Sequence, residues 1–319
     1  HGMIVLETYS ENDFVRWNEF VKKSKNGIFL FDRHYMDYHK SRFVDASLLF
    51  SYKNKIIALL PASAAGTKIY CHQGLTFGSL LLSEKITSTQ VLTVFSMLLR
   101  HYAALGFETL VYKKIPSLFE KHPAGEDLYA LFRFHAKLYR RDISSVIALE
   151  NRLLFSETKR QNVKKCELSG CTLQQEDDFT AFWDLLHTSL LKFGVQAVHR
   201  LEEIAYLQSQ FPEKIKLFTV RLQNELLAGT VVYDFGDAVH TQYMATSPVG
   251  KKIGALDFLI HQLITGPFTA KKYFSFGIST ESEGRVLNEG LLQQKEMLGG
   301  RAIVLDHYEI DLNPPRAHD

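Results

Sequence analysis

The sequence predicts a mixed α/β protein built from two similar domains. Its 319 residues are enough for two domains of about 100–200 residues each. A hairpin pattern occurs twice: LLFSYKNKIIAL begins at Leu48 and KLFTVRLQNELLAG begins at Lys216. Asn54 and Asn224 lie in the two turns, and similar strand and helix patterns follow both hairpins in the same order. Such internal similarity indicates a duplication.

The composition excludes several classes of protein. Hydrophobic residues make up 46% and charged residues 23% of the chain, as in a globular protein, and the formal net charge is +2. Because the charge is near neutral, a basic site must be local, and DNA is not an expected partner. The longest apolar run, 56–65, contains Pro61 and is shorter than the ~20 residues of a membrane span. No transmembrane segment is therefore predicted.

The cysteines indicate a reducing compartment. Cys71, Cys166 and Cys171 form no disulfide framework, so we expect free thiols and a cytoplasmic location. Cys166 and Cys171 lack neighbouring ligands for zinc, and no metal site is expected.

The first domain is predicted to span 3–150. Periodicity and turn residues predict strands at 3–8, 46–52, 56–65, 107–113 and 144–149, helices at 11–23, 28–39, 88–105 and 118–139, and an extended stretch at 68–82. Ser10 and Asp13 resemble a capping box, and Gly106 is suited to end the long helix. No phosphate-binding loop follows KIYCHQGLTFGS, so this domain is expected to lack a donor site.

The second domain is predicted to span 166–312, after a charged linking helix at 151–165. Its predicted helices are 178–192, 201–211, 254–264 and 286–298, and its predicted strands are 172–174, 216–222, 226–235, 238–246, 273–277 and 301–310.

This order of elements resembles the GNAT acyltransferase fold. Two copies in one chain resemble the FemAB-like branch, which includes aminoacyl-tRNA-dependent peptidoglycan transferases. The segments VHRLEEIAYLQSQFP, HTQYMATS, FGISTESEGRVLNEGLLQQKEMLGGRAIV and DHYEIDL look like acetyltransferase-like proteins encoded with bacterial polysaccharide genes. The resemblance implies acyl or aminoacyl transfer.

The loop SPVGKKIGALDF is the candidate anion site. In GNAT enzymes this place carries Arg/Gln-x-x-Gly-x-Gly/Ala and holds the pyrophosphate of coenzyme A, and the matching residues here are Lys251, Gly254 and Leu256. Gly250, Lys251, Lys252 and Gly254 could bind an anion at the helix start. Leu256 would crowd a pyrophosphate, which argues against acetyl-CoA. An ordinary helix start with solvated lysines is the alternative.

The helix LNEGLLQQKEMLGG matches the family pattern of a donor-contacting helix. Asn288 takes the place of its asparagine, and Lys295 stands where the family carries a tyrosine that protonates the leaving group. Lys295 could act as an acid or as a cation near developing negative charge. A solvated helix face is the alternative.

The strand AVHTQYMATS is expected to line a pocket. Simple alternation places one set of side chains on one face (His240, Gln242 and Met244) and another on the opposite face (Thr241, Tyr243 and Ala245). We expect pocket roles for His240, Gln242 and Tyr243, because polar residues in a central strand need partners or a cavity. A hydrogen-bonded core histidine and a packing tyrosine are the alternative.

The segment GISTESEG follows a buried-type strand. Ser279 and Thr280 are candidate substrate contacts, and Glu281 is a candidate base toward an amine or hydroxyl. Capping of a turn is the alternative role for Ser279 and Thr280.

Two further features are candidate substrate contacts. His199 precedes a helix and is either a contact or structural. The basic segment KRQNVKK at 159–165, with Arg160 and Lys164, could hold phosphates of a nucleotide sugar, a lipid carrier or tRNA, or could be a solvated linker.

These features predict direct acyl or aminoacyl transfer to an amine or hydroxyl of a cell-envelope or polysaccharide precursor. The donor is acyl-CoA or another activated acyl group, and the acceptor is a small or nucleotide- or lipid-linked molecule. His240, Tyr243, Glu281 and Lys295 are the candidate catalytic residues, and no nucleophile constellation is recognisable. An aminoacyl-tRNA-dependent transferase and an inactive binding module remain alternatives.

Overall fold

A computed structural model describes residues 2–313 and shows a mixed α/β fold of two compact units. The first unit comprises the described residues up to Asp142, Glu283–Arg285 and the described residues from Val304 to Asn313. The second comprises Ile143–Ser282 and Val286–Ile303. Within residues 2–313, no helix has the length and apolar character needed to cross a membrane.

The first half of the chain contributes nine strands and four helices in its described part. They are β1 (Ile4–Thr8), α1 (Phe14–Lys23), α2 (Arg33–Met36), β2 (Val44–Asp45), β3 (Leu48–Tyr52), β4 (Lys55–Leu60), β5 (Ser63–Ala65), β6 (Lys68–Cys71), β7 (Leu81–Leu82), α3 (Ser88–Ala104), β8 (Thr109–Lys113), α4 (Glu126–Arg133) and β9 (Lys137–Ala148).

The second half repeats this order with additional short elements. They are α5 (Glu157–Leu168), β10 (Thr172–Glu176), α6 (Thr180–Leu191), α7 (Leu201–Gln210), β11 (Ile215–Leu222), β12 (Glu225–Asp234), β13 (Ala238–Thr246), α8 (Pro248–Ile253), α9 (Ala255–Thr265), β14 (Tyr273–Ile278), β15 (Thr280–Glu281), β16 (Val286–Leu287), α10 (Glu289–Met297) and β17 (Arg301–Asp311).

The strand pairing confirms the predicted duplication. In the first unit, β1, β3 and β4 pair antiparallel, β5 pairs antiparallel with β6, and β6 runs parallel to β8. In the second, β10 to β13 pair antiparallel in order, and β13 runs parallel to β14. Both hairpins even carry a bulge at the same place, after Phe50 and after Val220.

The two hairpin turns are equivalent, as predicted. Lys53 and Asn54 have φ angles of 50° and 62°, and Gln223 and Asn224 have 49° and 67°. Two successive left-handed residues make the tight hairpin turn whose twist matches that of the strands. Asparagine tolerates this conformation better than most residues, which explains why it occupies both turns.

The last strand of each half of the chain, β9 in the first half and β17 in the second, pairs with a strand of the other half. The end of β9 pairs with β14, with Ser144 opposite Ile278, and β17 pairs with β8, with Tyr308 opposite Tyr112. The division at 3–150 and 166–312 keeps each final strand with its own half of the chain. In the structure, β9 and β17 are each divided between the two units: the first unit holds β9 up to Asp142 and β17 from Val304, and the second unit holds the rest of both strands.

The expected helix at 118–139 is shorter than its pattern suggests. A 3-10 turn occupies Ser117–Phe119, α4 begins after Gly125, and the chain is already a strand at Lys137. His135 has a φ of 61°, which ends the helix and redirects the backbone. The expected helix at 28–39 is likewise broken, because Asp32 is extended and caps α2 through the amide of His34.

The core of the second unit places α5 and α9 on one side of its sheet. Buried side chains of α9, including Phe258, Leu259 and Leu263, pack with Val232 and Val239 of the sheet. Val163 and Cys166 of α5 join the same core. Cys171 belongs to this core too, and all three cysteines of the chain, including Cys71 of the first unit, are free and buried. Helix α5, expected as a linker, is thus a packed element of this unit.

Candidate functional site

The central feature of the second unit is a gap between two parallel strands. β13 and β14 pair at Ala238, Val239 and His240, and the pairing stops where His240 lies opposite Ser275. Both strands continue beyond this point, to Thr246 and Ile278, without further pairs between them. The edge of β13 therefore opens onto a gap at the middle of the sheet.

A bulge in β13 lies at the beginning of this gap. Thr241 pairs with Val232 and Tyr243 pairs with Val231, so Gln242 is the extra residue. A bulge leaves its residue outside the ladder and shifts the alternation of side chains by one.

Because of the bulge, the side chains of β13 are distributed over its two faces differently from the prediction. His240 lies opposite Tyr233 and Tyr243 lies opposite Val231. Since Val231 and Tyr233 alternate onto one face of β12, His240 and Tyr243 share that face. Met244 packs instead with the core that contains α9. The prediction that His240 and Met244 share a face is wrong, because it assumed uninterrupted alternation.

Lys295 is buried at the end of β14. Its side chain, expected as either a site residue or a solvated one, is 5% exposed. Nζ donates to the carbonyl oxygens of Gly277 (3.1 Å) and Ile278 (2.8 Å) and to Oγ of Ser279 (2.9 Å). Burial lowers the pKa of Lys295 to about 8. All three ammonium protons therefore have acceptors within the protein.

His240 lies beside the gap as a neutral imidazole. Its Nδ1 is 2.9 Å from Oγ of Ser275, and its ring stacks on Phe235 at 6.2 Å between centroids. Burial, and then the charge of Lys295, lower the pKa of His240 to about 4. The ring is consequently uncharged at neutral pH.

Tyr243, which is half-buried, and the buried His199 form a hydrogen-bonded pair against α6. The tyrosine hydroxyl is 2.5 Å from Nδ1 of His199, and its ring meets Trp183 edge-on at 5.1 Å. Burial raises the pKa of Tyr243 above its usual range. Nε1 of Trp183 donates to the carbonyl of His199 at 3.3 Å. These contacts fix the loop before α7 to the sheet.

A cleft of about 1060 Å³ lies at the ends of these elements. Five of the predicted site residues line it, namely Gly250, Lys251, Gly254, Glu281 and Asn288. Oδ1 of Asn288 also caps α10 by accepting from the amide of Leu291 at 3.1 Å. The cleft thus joins the predicted anion loop to the predicted base and the family asparagine.

The other predicted residues lie elsewhere in the second unit. Lys252, Arg160 and Lys164 are exposed and do not line the cleft. Ser279 is held by Lys295, and Thr280 pairs with Leu287 in the short β15–β16 ladder. His240, Gln242, Tyr243 and Lys295 lie along or behind the gap rather than on the cleft wall.

A polar network in the cleft was missed from the sequence. Asp257 is 4% exposed. One of its oxygens lies 3.1 Å from Nζ of Lys159, and the other accepts from Nδ2 of Asn162 at 2.9 Å. Nζ of Lys159 also donates to Gln294 at 2.5 Å. The signal was present in KRQNVKK, because Lys159, Asn162 and Val163 fall on one helical face.

The predicted anion loop is itself a short helix. Ser247 caps α8 by accepting from the amide of Gly250 at 2.9 Å, and its carbonyl accepts from the amide of Lys251 at 2.9 Å. Gly254, with a φ of 77°, separates α8 from α9. The backbone amides of Gly250 and Lys251 are therefore already used.

Two glycines of this loop pack closely against other parts of the chain. A methyl group added at Gly250 would lie 2.2 Å from the carbonyl oxygen of Leu227, and one at Gly254 would lie 2.5 Å from Cβ of Asn162. Both glycines face the protein's own chain rather than an open cradle. The carboxylate of Asp257 adds negative charge in the first turn of α9. Nζ of Lys159, 3.1 Å from one of its oxygens, offsets this charge.

The duplicated sheet and the gap between parallel strands are those of a tandem GNAT-like fold. The structure is similar to that of FemX, with a TM-score of 0.69 and 11% identity over 97% of this chain and 98% of that one. It is also similar to L-PGS from Bacillus licheniformis (TM-score 0.62, 14% identity, 97% and 94% covered). A tandem GNAT protein from the clavulanic acid biosynthesis pathway gives 0.53 at 7% identity, with 98% and 100% covered.

At these identities the similarity shows the fold alone. No protein-family model matches the sequence, and no curated protein matches it. Among residues 2–313, no group of three or more His, Cys, Asp or Glu side chains is placed to hold a metal ion.

Proposed function

We propose that the protein transfers an acyl or aminoacyl group directly to an amine or hydroxyl of a cell-envelope precursor in the cytoplasm. The observation that carries the proposal is the gap between β13 and β14, which opens beside a cleft lined by Glu281 and Asn288. Backbone amides at an unpaired strand edge can stabilise the oxyanion that forms during acyl transfer.

Each residue then has a limited role. Glu281 is exposed on the cleft wall, where it can take the proton of the attacking amine or hydroxyl and return it to the donor's oxygen or sulfur as the bond from that atom to the acyl carbon breaks. Lys295 holds the end of β14 and supplies positive charge behind the gap. His240 and Tyr243 position β13 through Ser275 and His199. Lys251 is an exposed cation for an anionic substrate group.

The network around Asp257 favours an aminoacyl donor over acyl-CoA. The place for a pyrophosphate is covered by α5 and carries a carboxylate, so the donor must be recognised elsewhere. An aminoacyl-tRNA could be held by exposed basic residues such as Lys251, Arg160 and Lys164.

The first unit lacks the open gap, which supports a structural or acceptor-shaping role. β6 and β8 separate after Cys71 and Tyr112. There Gly78 approaches so closely that an added methyl group would lie 1.9 Å from the carbonyl oxygen of Cys71. Nζ of Lys113 donates to the carbonyls of His72 (2.9 Å) and Leu75 (3.0 Å). The chain itself therefore fills the equivalent position.

Transfer assays test the proposal. Labelled aminoacyl-tRNA or acetyl-CoA is offered together with nucleotide-linked and lipid-linked envelope precursors. We expect labelled precursor from aminoacyl-tRNA, and about a hundredfold less with Glu281→Gln. Glu289→Gln, at another exposed carboxylate nearby, serves as the control. Efficient transfer from acetyl-CoA would overturn the donor assignment, and no transfer from either donor would favour a binding module.

A further inference from the structure

Helix α5 ends in a turn that brings two cysteines together. The amide of Cys171 donates to the carbonyl of Cys166 at 3.3 Å, and inside this bond the amide of Gly170 donates to the carbonyl of Glu167 at 3.1 Å. Gly170 has a φ of 89°. Two nested hydrogen bonds around a left-handed glycine are the Schellman motif, in which the two residues of the outer bond are often in side-chain contact. The turn therefore places the side chain of Cys171 beside that of Cys166.

The two thiols share one core but differ in their access to solvent. Both belong to the core that packs α5 against the sheet of the second unit. Cys166 has no exposed surface, whereas Cys171 is 8% exposed. Burial, and then the neighbouring thiol of Cys171, raise the pKa of Cys166. Cys166 therefore stays protonated at neutral pH, and Cys171 is the thiol that a small reagent reaches from the solvent.

The pair lies on the face of α5 that carries cleft residues. Cys166 follows Lys159 and Asn162 by about two turns and one turn of helix, so the three side chains fall on one face. Lys159 and Asn162 line the cleft. Cys171 immediately precedes β10. A bond between the two sulfurs would therefore tie the helix that lines the cleft to the first strand of this unit's sheet.

We propose that Cys166 and Cys171 form a reversible modification site, which low-molecular-weight disulfides such as oxidised glutathione convert into an intramolecular disulfide. The thiolate of Cys171 attacks one sulfur of the reagent, and the first glutathione leaves and takes up the proton that Cys171 lost. Cys166 then attacks Sγ of Cys171 and passes its proton to the second glutathione as that thiolate leaves. Two protein thiols are oxidised, and one reagent disulfide is reduced to two thiols. This inference does not depend on the proposed transfer reaction.

Peptide mapping of the folded full chain tests the proposal. The chain is incubated with oxidised glutathione, unfolded, labelled with N-ethylmaleimide and digested with trypsin. Trypsin cuts after Lys165 and Lys192 with no site between them, so both cysteines fall in the peptide 166–192. We expect this peptide to take up no label and to weigh two hydrogens less, and we expect dithiothreitol to restore both labels. Cys71, in the separate peptide 69–85, is the buried internal control and should react at least about tenfold more slowly.

Two variants separate the steps of the exchange. Cys166→Ala removes the second thiol, so Cys171 should keep one glutathione as a mixed disulfide. Cys171→Ala removes the thiol that starts the exchange, so Cys166 should still be labelled.

Three outcomes in the wild type would overturn the proposal, and none depends on the stability of a variant. They are full labelling of the peptide 166–192 after incubation, a separate glutathione on each of its cysteines, and loss of label from Cys71 at the same rate.

Discussion

The ammonium nitrogen of Lys295 lies 3.1 Å from the carbonyl oxygen of Gly277, just beyond the point where β13 and β14 separate. Gly277 has a φ of 88°, and a methyl group added there would lie 3.3 Å from Cε1 of His240. Lys295 also bonds the next carbonyl, that of Ile278. One side chain thus supplies donors to the end of a strand that has lost its parallel neighbour, and the gap can stay open without orphaned carbonyl groups.

This arrangement predicts a pH-dependent contribution of Lys295 to stability. The pKa of Lys295 is about 8 in the folded protein, against an ordinary value of 10.5. Between these values the unfolded chain binds one more proton than the folded one, so stability rises with pH. We expect the free energy of unfolding of the wild type, relative to Lys295→Met, to rise by up to about 1.4 kcal/mol per pH unit above pH 8.

Urea denaturation at pH 7.5, 8.5 and 9.5 measures this difference. Lys164→Met, at an exposed lysine of α5, is the control and should show no such trend. A constant difference between the wild type and Lys295→Met across this range would contradict a buried, titrating ammonium.

His240 should make the second unit sensitive to acid. Burial and then Lys295 lower its pKa to about 4 from an ordinary 6.5. Below pH 6.5 the imidazole of His240 becomes protonated in the unfolded chain but stays neutral in the folded protein. The free energy of unfolding therefore decreases as the pH falls toward 4. His240→Gln should reduce this loss by up to about 1.4 kcal/mol per pH unit. Urea denaturation between pH 4.5 and 7 measures this loss, and His187→Gln, at an exposed histidine, is the control. If the free energy of unfolding depends on pH in the same way in the wild type and in His240→Gln, the prediction is wrong.

The hydrogen bond between Tyr243 and His199 should contribute measurably to stability. Tyr243→Phe removes the hydroxyl 2.5 Å from Nδ1 of His199 and leaves that buried nitrogen without this partner. We expect a loss of about 0.5–1.5 kcal/mol, the net contribution of a typical intramolecular hydrogen bond to stability. Tyr206→Phe, at a 46% exposed ring, should change little. Equal stability of both variants in urea would mean that the pair contributes only packing.

Local chemistry made part of this structure predictable. The turns at Asn54 and Asn224 follow from residues that tolerate left-handed backbone, and the repeated order of elements follows from periodicity. The bulge at Gln242 could not be predicted, because AVHTQYMATS alternates smoothly and nothing within it marks an extra residue. The pairing of β9 with β14 and of β17 with β8 could not be predicted either, because hydrophobic patterning does not encode which distant segments pair.

In the candidate site, too, some residues could be predicted from the sequence and others could not. Gly250, Gly254 and Glu281 were predicted as site residues because they stand at helix starts and strand ends, where ligands commonly bind, and Asn288 was predicted from the resemblance to the GNAT pattern. The face of α5 that meets α9 was missed, since a charged helix shows its buried side only against a partner. Lys159 contacts Asp257, whereas the neighbouring Arg160 is exposed.

The approach of α5 to Gly254 predicts an unusually costly glycine substitution. Gly254 has a φ of 77°, so any side chain there is strained by about 1–2 kcal/mol. Its added methyl group would also meet Cβ, the carbonyl oxygen and Cα of Asn162 at 2.5, 2.9 and 3.0 Å. Two of these are backbone atoms of a packed helix, which cannot move without shifting α5. Gly254→Ala should therefore cost clearly more than the conformational strain alone, by about 1–3 kcal/mol in the range known for overpacked cores.

Gly194 offers a matched control for this prediction. Its φ of 64° is similarly left-handed, but nothing lies within 4 Å of an added methyl group. Gly194→Ala should thus show the conformational strain by itself, and the difference between the two variants isolates the contact with α5. Urea denaturation of both variants measures this difference. If the two variants lose the same stability, α5 does not restrict the space at the start of α9, and the proposal that the donor is recognised elsewhere loses this support.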